Sequence, residues 1–307
     1  MKTSVFMGAL AAATFSAGLA AAGTLDDVKA RGELNCGSNT GLTGFGAPDA
    51  NGVWQGFDVA LCRALAAAVL GDPNKVKFIP TTGETRFTAL ASGEVDLLVR
   101  NSTWTFSRDT DLKFDWAGVN YYDGQGFMVK KDLGVSSAKE LDGATVCIQT
   151  GTTTELNLAD FFKANNISYT PVTVQDDSQA QQQFLAGACD AYTTDASGLA
   201  ATRATLPDAD NHIILPEIIS KEPLGPVVRH GDNNWGDIVR WTLYALIIAE
   251  EKGITKANIE ETIAASEADP AADPEVKRLL GIGDNDMGKM MGLDKDWAKR
   301  CLLYTSD

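Results

Sequence analysis

The feature that most constrains this chain is an alternation of strands and helices that runs through once and then repeats. Glu33 to Gly37 reads as a strand, Phe57 to Leu70 as a helix with Leu61, Leu65, Ala68 and Val69 on one face, and Val76 to Pro80 as a second strand. Thr85 to Ser92 reads as a helix stopped by Gly93, and Val95 to Val99 as a third strand, apolar enough for burial on both faces. The second series has strand Ala144 to Gln149, helix Thr153 to Ala164, strand Ser168 to Val174, helix Ser178 to Ala186 and strand Cys189 to Thr193. The two series echo each other in detail: Ala89-Leu-Ala-Ser-Gly-Glu-Val-Asp96 precedes one loop, and Gln183-Phe-Leu-Ala-Gly-Ala-Cys-Asp190 precedes the other. Such alternation predicts an α/β architecture with mainly parallel strands. Two similar lobes facing each other make a cleft lined by strand ends, where small ligands bind.

Two segments read as crossings between the lobes. Tyr122 to Lys130 is an extended run entered through glycines, and Lys221 to Val228 is a proline-stiffened run leading back. The helical stretch from about Trp235 to Trp297 then returns to the first lobe. The resulting division is 23–125 for the first part of lobe 1, 126–226 for lobe 2 and 227–307 for the return part of lobe 1. Paired crossings let lobes close by small dihedral changes at a few residues.

Residues 1–22 read as a signal peptide, with Lys2 as the positive end, Val5 to Leu19 as the apolar run and Ala20-Ala21-Ala22 before the cleavage point. The run is too short for a membrane span of about 20 residues, and no Cys follows it to carry a lipid. The expectation is a Sec-exported, soluble periplasmic protein that is not a lipoprotein. In an oxidising compartment, four of the five cysteines form two local pairs. We expect bridges Cys36–Cys62 and Cys147–Cys189, although four cysteines allow three pairings, and buried thiols are the bland alternative.

A net charge of −15 argues against nucleic acid and anionic membranes as partners. With only His212 and His230 in the chain, a metal site or histidine catalysis is poorly supplied, and no cofactor is predicted.

What the chain does supply is a strand, Glu94 onward, that runs into the donor-rich stretch ending at Arg108. The planar guanidinium fork of Arg108 matches a carboxylate, with Ser102, Thr103 and Thr105 adding hydroxyl and amide bonds. The bland alternative is a surface pair with Asp109 or Asp111. Thr152-Thr-Thr-Glu155 has capping-box spacing, so the helix it opens would aim free N–H groups and the positive end of its dipole into the cleft. Asp195, read as lying just past the strand in the second lobe, would accept from an ammonium, or else cap the helix from Ser197. An Arg from one lobe and an Asp from the other describe a site for an α-amino acid zwitterion, with each ligand charge compensated when the lobes close.

These motifs carry a resemblance. Gly56-Phe-Asp-Val-Ala-Leu-Cys-Arg-Ala-Leu65, Arg86-Phe-Thr-Ala-Leu-Ala-Ser-Gly-Glu-Val-Asp96, Asn101-Ser-Thr-Trp-Thr-Phe-Ser-Arg108, Asn120-Tyr-Tyr-Asp-Gly-Gln-Gly126, Gln149-Thr-Gly-Thr-Thr-Thr-Glu155 and Leu215-Pro-Glu-Ile-Ile-Ser-Lys-Glu-Pro-Leu-Gly225 resemble family 3 of the bacterial solute-binding proteins, specifically the general L-amino acid binding proteins of polar amino acid ABC transporters. The resemblance covers roughly Thr24 to Ala298. It implies the type II two-lobe periplasmic-binding fold, each lobe a mainly parallel sheet flanked by helices and joined by two crossing strands. It also implies a monomeric, non-catalytic receptor that delivers an L-amino acid to an inner-membrane ABC permease. Arg108 would bind the ligand α-carboxylate with Thr103 and the amides of Thr152 and Thr153, and Asp195 the α-ammonium.

Many relatives clamp the ligand side chain with an aromatic near the loop Thr82 to Glu84. This chain has Thr-Gly-Glu there, which fits broad selectivity, with Glu84 and Trp104 influencing which ligands rank highest and Phe45 as a further candidate wall. The tail after about 299 departs from the family and reads as truncated or non-native, which leaves Cys301 without a role and first-lobe stability in question.

Two other classes compete. A periplasmic dehydratase acting on a prephenate- or arogenate-like acid would need a general acid, for which Glu84 or Asp123 is available, but no second catalytic group pairs with either. A sensor lobe for a membrane kinase would need a partner in trans.

Overall fold

The computed structural model describes residues 23–305, so the signal-peptide expectation lies outside the described residues. Two five-stranded sheets share one plan. In the first, Val76–Pro80, Leu34–Ser38 and Leu97–Leu98 lie parallel in that order, followed by Val227–Arg229, antiparallel to its neighbours, and Phe114–Trp116. In the second, Tyr169–Val174, Ala144–Gln149 and Ala191–Asp195 lie parallel, followed by the antiparallel Gln125–Lys130 and then His212–Ile214. Each sheet is thus three parallel strands, an antiparallel strand that arrives by a crossing, and a fifth strand paired to its far edge.

The strand read as Val95 to Val99 is shorter, Leu97–Leu98, but its flanks stay tied: Asp96 N donates to Asn35 O at 2.9 Å and Val99 N to Gly37 O at 3.0 Å. The strand read as Cys189 to Thr193 is shifted to Ala191–Asp195. That shift makes Asp195 the last strand residue rather than the first loop residue.

Each crossing is two strands rather than one. Tyr121–Asp123 pairs antiparallel with Glu222–Leu224 in a separate two-stranded ribbon, while Gln125–Lys130 and Val227–Arg229 go to opposite sheets. Gly124 separates the two duties of the outward run. A Cβ there would stand 2.8 Å from Ser220 O, so the ribbon needs glycine at this point.

Helix Asn233–Glu251 and the helices after it return to the first lobe. Trp235, Leu243, Ile259, Leu280 and Trp297 share one core with Leu34, Leu65 and Leu97. The second lobe is cored by Phe127, Ile148, Leu158 and Phe162. Burial of each such side chain contributes about 1.5–3 kcal/mol. Helix Trp297–Thr305 packs on helix Phe57–Leu70 and buries Cys301 and Leu302. The stretch after 299 is therefore part of the first-lobe core up to that point.

Both cysteine pairs are bonded, Cys36–Cys62 with Cα atoms 6.3 Å apart and Cys147–Cys189 with 5.6 Å. Each ties a sheet to a neighbouring segment within one lobe. No helix among the described residues is long and apolar enough to cross a membrane.

Candidate ligand site between the lobes

The ends of strands from both sheets meet around a small cavity lined by Arg86, Arg100, Asn101 and Thr103 from the first lobe, and Gln149, Thr152, Thr153, Thr154, Thr194 and Asp195 from the second. Of the residues singled out in the sequence, Thr103, Thr152, Thr153 and Asp195 line it. Arg108, Ser102, Glu84 and Trp104 do not.

Arg108 sits on helix Phe106–Thr110, whose N-cap Thr105 accepts from its amide at 3.3 Å. Its side chain is buried rather than paired on the surface: Nη1 donates to Thr103 O at 3.0 Å, and the guanidinium lies 5.1 Å from the centre of the Phe87 ring. Arg108 thus stands directly behind a cavity residue. Burial lowers its pKa to about 10, Glu222 opposes this, and Arg100 adds to it.

Ser102 turns away from the cavity. Its hydroxyl donates to Arg100 O at 3.2 Å and accepts from Arg86 Nη1 at 3.3 Å, so it positions arginines rather than ligand. Trp104 is 41% exposed and stacks on Trp116, with Nε1 donating to Asp109 at 2.6 Å. It is therefore not a wall of the cavity. Phe45 packs with Leu42 and Leu224 and meets Tyr121 edge-on, 5.3 Å between centres. Glu84 is exposed and borders a separate surface hollow with Thr81, Thr85 and Glu94. Asp123, the other candidate acid, accepts from Ser197 and from Gly124 N and does not line the cavity.

On the second-lobe side, Thr152 caps helix Thr153–Ala164: its hydroxyl accepts from Glu155 N at 3.2 Å and donates to Gln149 O at 2.7 Å. Glu155 reaches back one residue further than a capping box requires, accepting from Gly151 N at 3.0 Å. The first turn, whose amides have no intrahelical acceptors, borders the cavity. Asp195 does not cap the helix after it. Its Oδ2 accepts from Asn101 Nδ2 at 3.0 Å, and burial, with Asp123, Glu222 and Asp177 adding, raises its pKa to about 8 against the Asn101 hydrogen bond.

Several residues at this site escaped the sequence reading. Arg86 and Arg100 are buried, and among the described residues Arg86 Nε and Arg100 Nε and Nη2 find no acceptor. Burial lowers the pKa of both, and the neighbouring arginines push Arg86 further down. An unmade bond on a buried donor costs about 1–3 kcal/mol, more for a charged group, so such donors await an acceptor.

Asn101 is a hub with φ at 34°, a conformation Asn tolerates better than most residues. Its amide N donates to Asp58 at 2.8 Å and its side chain accepts from Asn39 at 3.0 Å. Asn39 Nδ2 in turn reaches across to Asp177 at 3.0 Å.

Glu222, on the hinge ribbon, is buried and accepts from Thr103 and, at 3.1 Å, from Thr153, one hydroxyl from each lobe. Asn157 and Ser220 complete its shell at 2.8 and 2.7 Å. The Thr103 and Thr153 hydroxyls are therefore held by the hinge. The only sequence signal for these residues was their type: arginines, an asparagine and a glutamate beside glycine- and strand-rich motifs.

Known proteins resemble this chain in sequence and fold. The chain is 73% identical over its whole length to a glutamate/glutamine/aspartate/asparagine-binding protein of Rhodobacter capsulatus, covering 89% of that protein. It is 56% identical over 97% of its length to a general L-amino acid-binding periplasmic protein of Rhizobium johnstonii, covering 86% of it. A periplasmic binding protein of an ABC transporter from Brucella ovis, solved with glutathione bound, superposes with a TM-score of 0.86 at 54% identity, over 92% of this chain and 87% of that one. Residues 34–269 match the family description directly, and with relatives at this identity and coverage the chain belongs to the bacterial extracellular solute-binding proteins, family 3.

Proposed function

We propose that this protein is the periplasmic receptor of an amino acid ABC transporter, binding L-amino acids between its lobes and delivering them to an inner-membrane permease. The observation that carries this is the pairing, in one inter-lobe cavity, of a buried carboxylate, Asp195, with buried arginines that have unused donors and the first turn of helix Thr153–Ala164. Asp195 takes the ammonium. Arg108, with Thr103 and the amides of Thr152 and Thr153, takes the α-carboxylate once the lobes part to admit it.

The side-chain end of the ligand meets Arg86 and Arg100. Their open donors favour ligands with an acceptor at the side-chain tip, so acidic and amide amino acids rank first within a broad range. The binding named for the Rhodobacter capsulatus relative agrees with that ranking. Glu84 and Trp104, outside the cavity, affect ranking only through the shape of the cleft mouth.

The lobe boundaries fall at 125/126 and 226/227, with residues 1–22 as the export signal, no lipid anchor, and a monomer as the working form. Calorimetric titration of unfolded-and-refolded protein against a panel of L-amino acids tests the reading. Heats are expected for many, with glutamate, aspartate, glutamine and asparagine tightest. A flat response to all of them removes it.

A further inference from the structure

Among the points where the lobes meet at a glycine, two bring a first-lobe glycine closer to the second lobe than a Cβ would allow. Gly41, of the first lobe, lies against the start of helix Asp177–Leu185. A Cβ built there would overlap the Ser178 hydroxyl and stand 2.9 Å from Ser178 N and 3.1 Å from Ser178 Cβ, where ordinary contact begins at 3.4 Å. Gly83, also of the first lobe, lies against the loop before helix Thr153–Ala164. A Cβ there would overlap Thr150 O and stand 3.1 Å from Thr152 Cγ2.

Neither glycine has a left-handed φ, so alanine fits either backbone without strain. What each supplies is clearance. Both points adjoin the polar contacts that join the lobes: Asn39 to Asp177 at 3.0 Å and Gln181 to Gly41 O at 3.3 Å beside the first, and Thr103 to Thr153 at 3.3 Å nearer the second.

We propose that Gly41 and Gly83 set how far the lobes close, and that they are thereby affinity- and size-determining residues for the enclosed ligand. The proposal rests on the receptor reading above. A side chain at either point holds the lobes apart, and a retreat of about 1 Å takes a hydrogen bond such as Asn101–Asp195 beyond its useful range. Ligand held by one lobe alone keeps only part of its contacts. The apparent affinity then falls with the fraction of fully closed protein.

The test uses the full chain with Gly41→Ala and Gly83→Ala, titrated with L-glutamate and followed by small-angle scattering with and without it. Each variant is expected to bind about tenfold more weakly or worse and to stay more expanded than the unsubstituted protein at saturating glutamate. Its circular dichroism spectrum should be unchanged, because the clash lies between the lobes and not within either.

Ser178→Gly added to Gly41→Ala should recover part of the affinity by removing the hydroxyl and Cβ that clash. The same change added to Gly83→Ala should recover none, since there the clash is with a backbone carbonyl. Unchanged affinity and compaction in either alanine variant overturns the proposal for that glycine. If the unsubstituted protein itself binds no amino acid, the receptor reading fails separately. The glycines are then judged by scattering alone: an unsubstituted protein more compact than both variants supports the proposal, and equal dimensions overturn it.

Discussion

Asn101 Nδ2 donates to Asp195 Oδ2 at 3.0 Å, joining the loop after a first-lobe strand to the end of a second-lobe strand. The bond shows how the site is built: the Asn101 amide accepts from Asn39 within its own lobe and donates across the cleft to the second. It also places a titrating carboxylate where an ammonium is expected.

The first prediction concerns protons. Burial raises the Asp195 pKa from the usual carboxylate value to about 8, so over the window from about 4 to about 8 the folded protein holds a proton that the unfolded chain has released. Its contribution to stability is therefore full at low pH and is lost as pH rises through 8. A bound ammonium reverses the preference and favours the ionised form. Binding at pH 6 should release close to one proton, measurable as a dependence of calorimetric heat on buffer ionisation enthalpy, and affinity should rise between pH 5 and pH 8. Asp195→Asn should remove the proton release and weaken binding of every amino acid.

Arg108→Ala should abolish binding of all amino acids alike, because it removes the contact they share. Loss of one partner of a buried charge pair costs about 2–5 kcal/mol, so titrations at micromolar concentration should show no heat. Circular dichroism melting separates this from loss of fold, since Arg108 also holds Thr103 O. Normal binding by a folded Arg108→Ala protein would mean the ligand is oriented differently.

Arg100→Met should change ranking rather than abolish binding. Glutamate and aspartate should lose on the order of tenfold or more, about 1.4 kcal/mol or more, while alanine and leucine hold or improve. Competition against a radiolabelled neutral amino acid reads this directly. Equal losses for every ligand would place Arg100 at the shared end of the site instead.

The disulfides close loops with sequence separations of 26 and 42 residues. Replacing either pair with serine should cost about 3–4 kcal/mol, with the longer loop, Cys147–Cys189, costing slightly more. Thermal melts of the two double-serine variants give the comparison. Because each bridge lies within one lobe, ligand ranking should not change in either.

The sequence by itself determined the α/β plan, the two echoing halves and the polar residue types that follow the strands, because each depends on local pattern: strand and helix periods, caps, and strand ends followed by polar loops. The expected cysteine pairing was one of three until the fold brought the partners together. Arg108 and Asp195 stood out as opposite charges in the polar segments that follow a strand in each half, with a surface pair and a helix cap as their structural alternatives. Tertiary structure alone decided which groups share the cavity. Arg86 fell inside a helix read as Thr85 to Ser92 and Arg100 just past a strand read as Val95 to Val99, yet both are buried at the cavity with open donors. Glu222 lay in a proline-rich crossing and proved to be the carboxylate that holds a threonine from each lobe. Trp104 and Glu84, conspicuous by type, fell outside. The reason is physical: side-chain direction at a strand end turns on one residue of register, and desolvation on what the opposite lobe brings, and both are set by contacts between segments far apart in the chain.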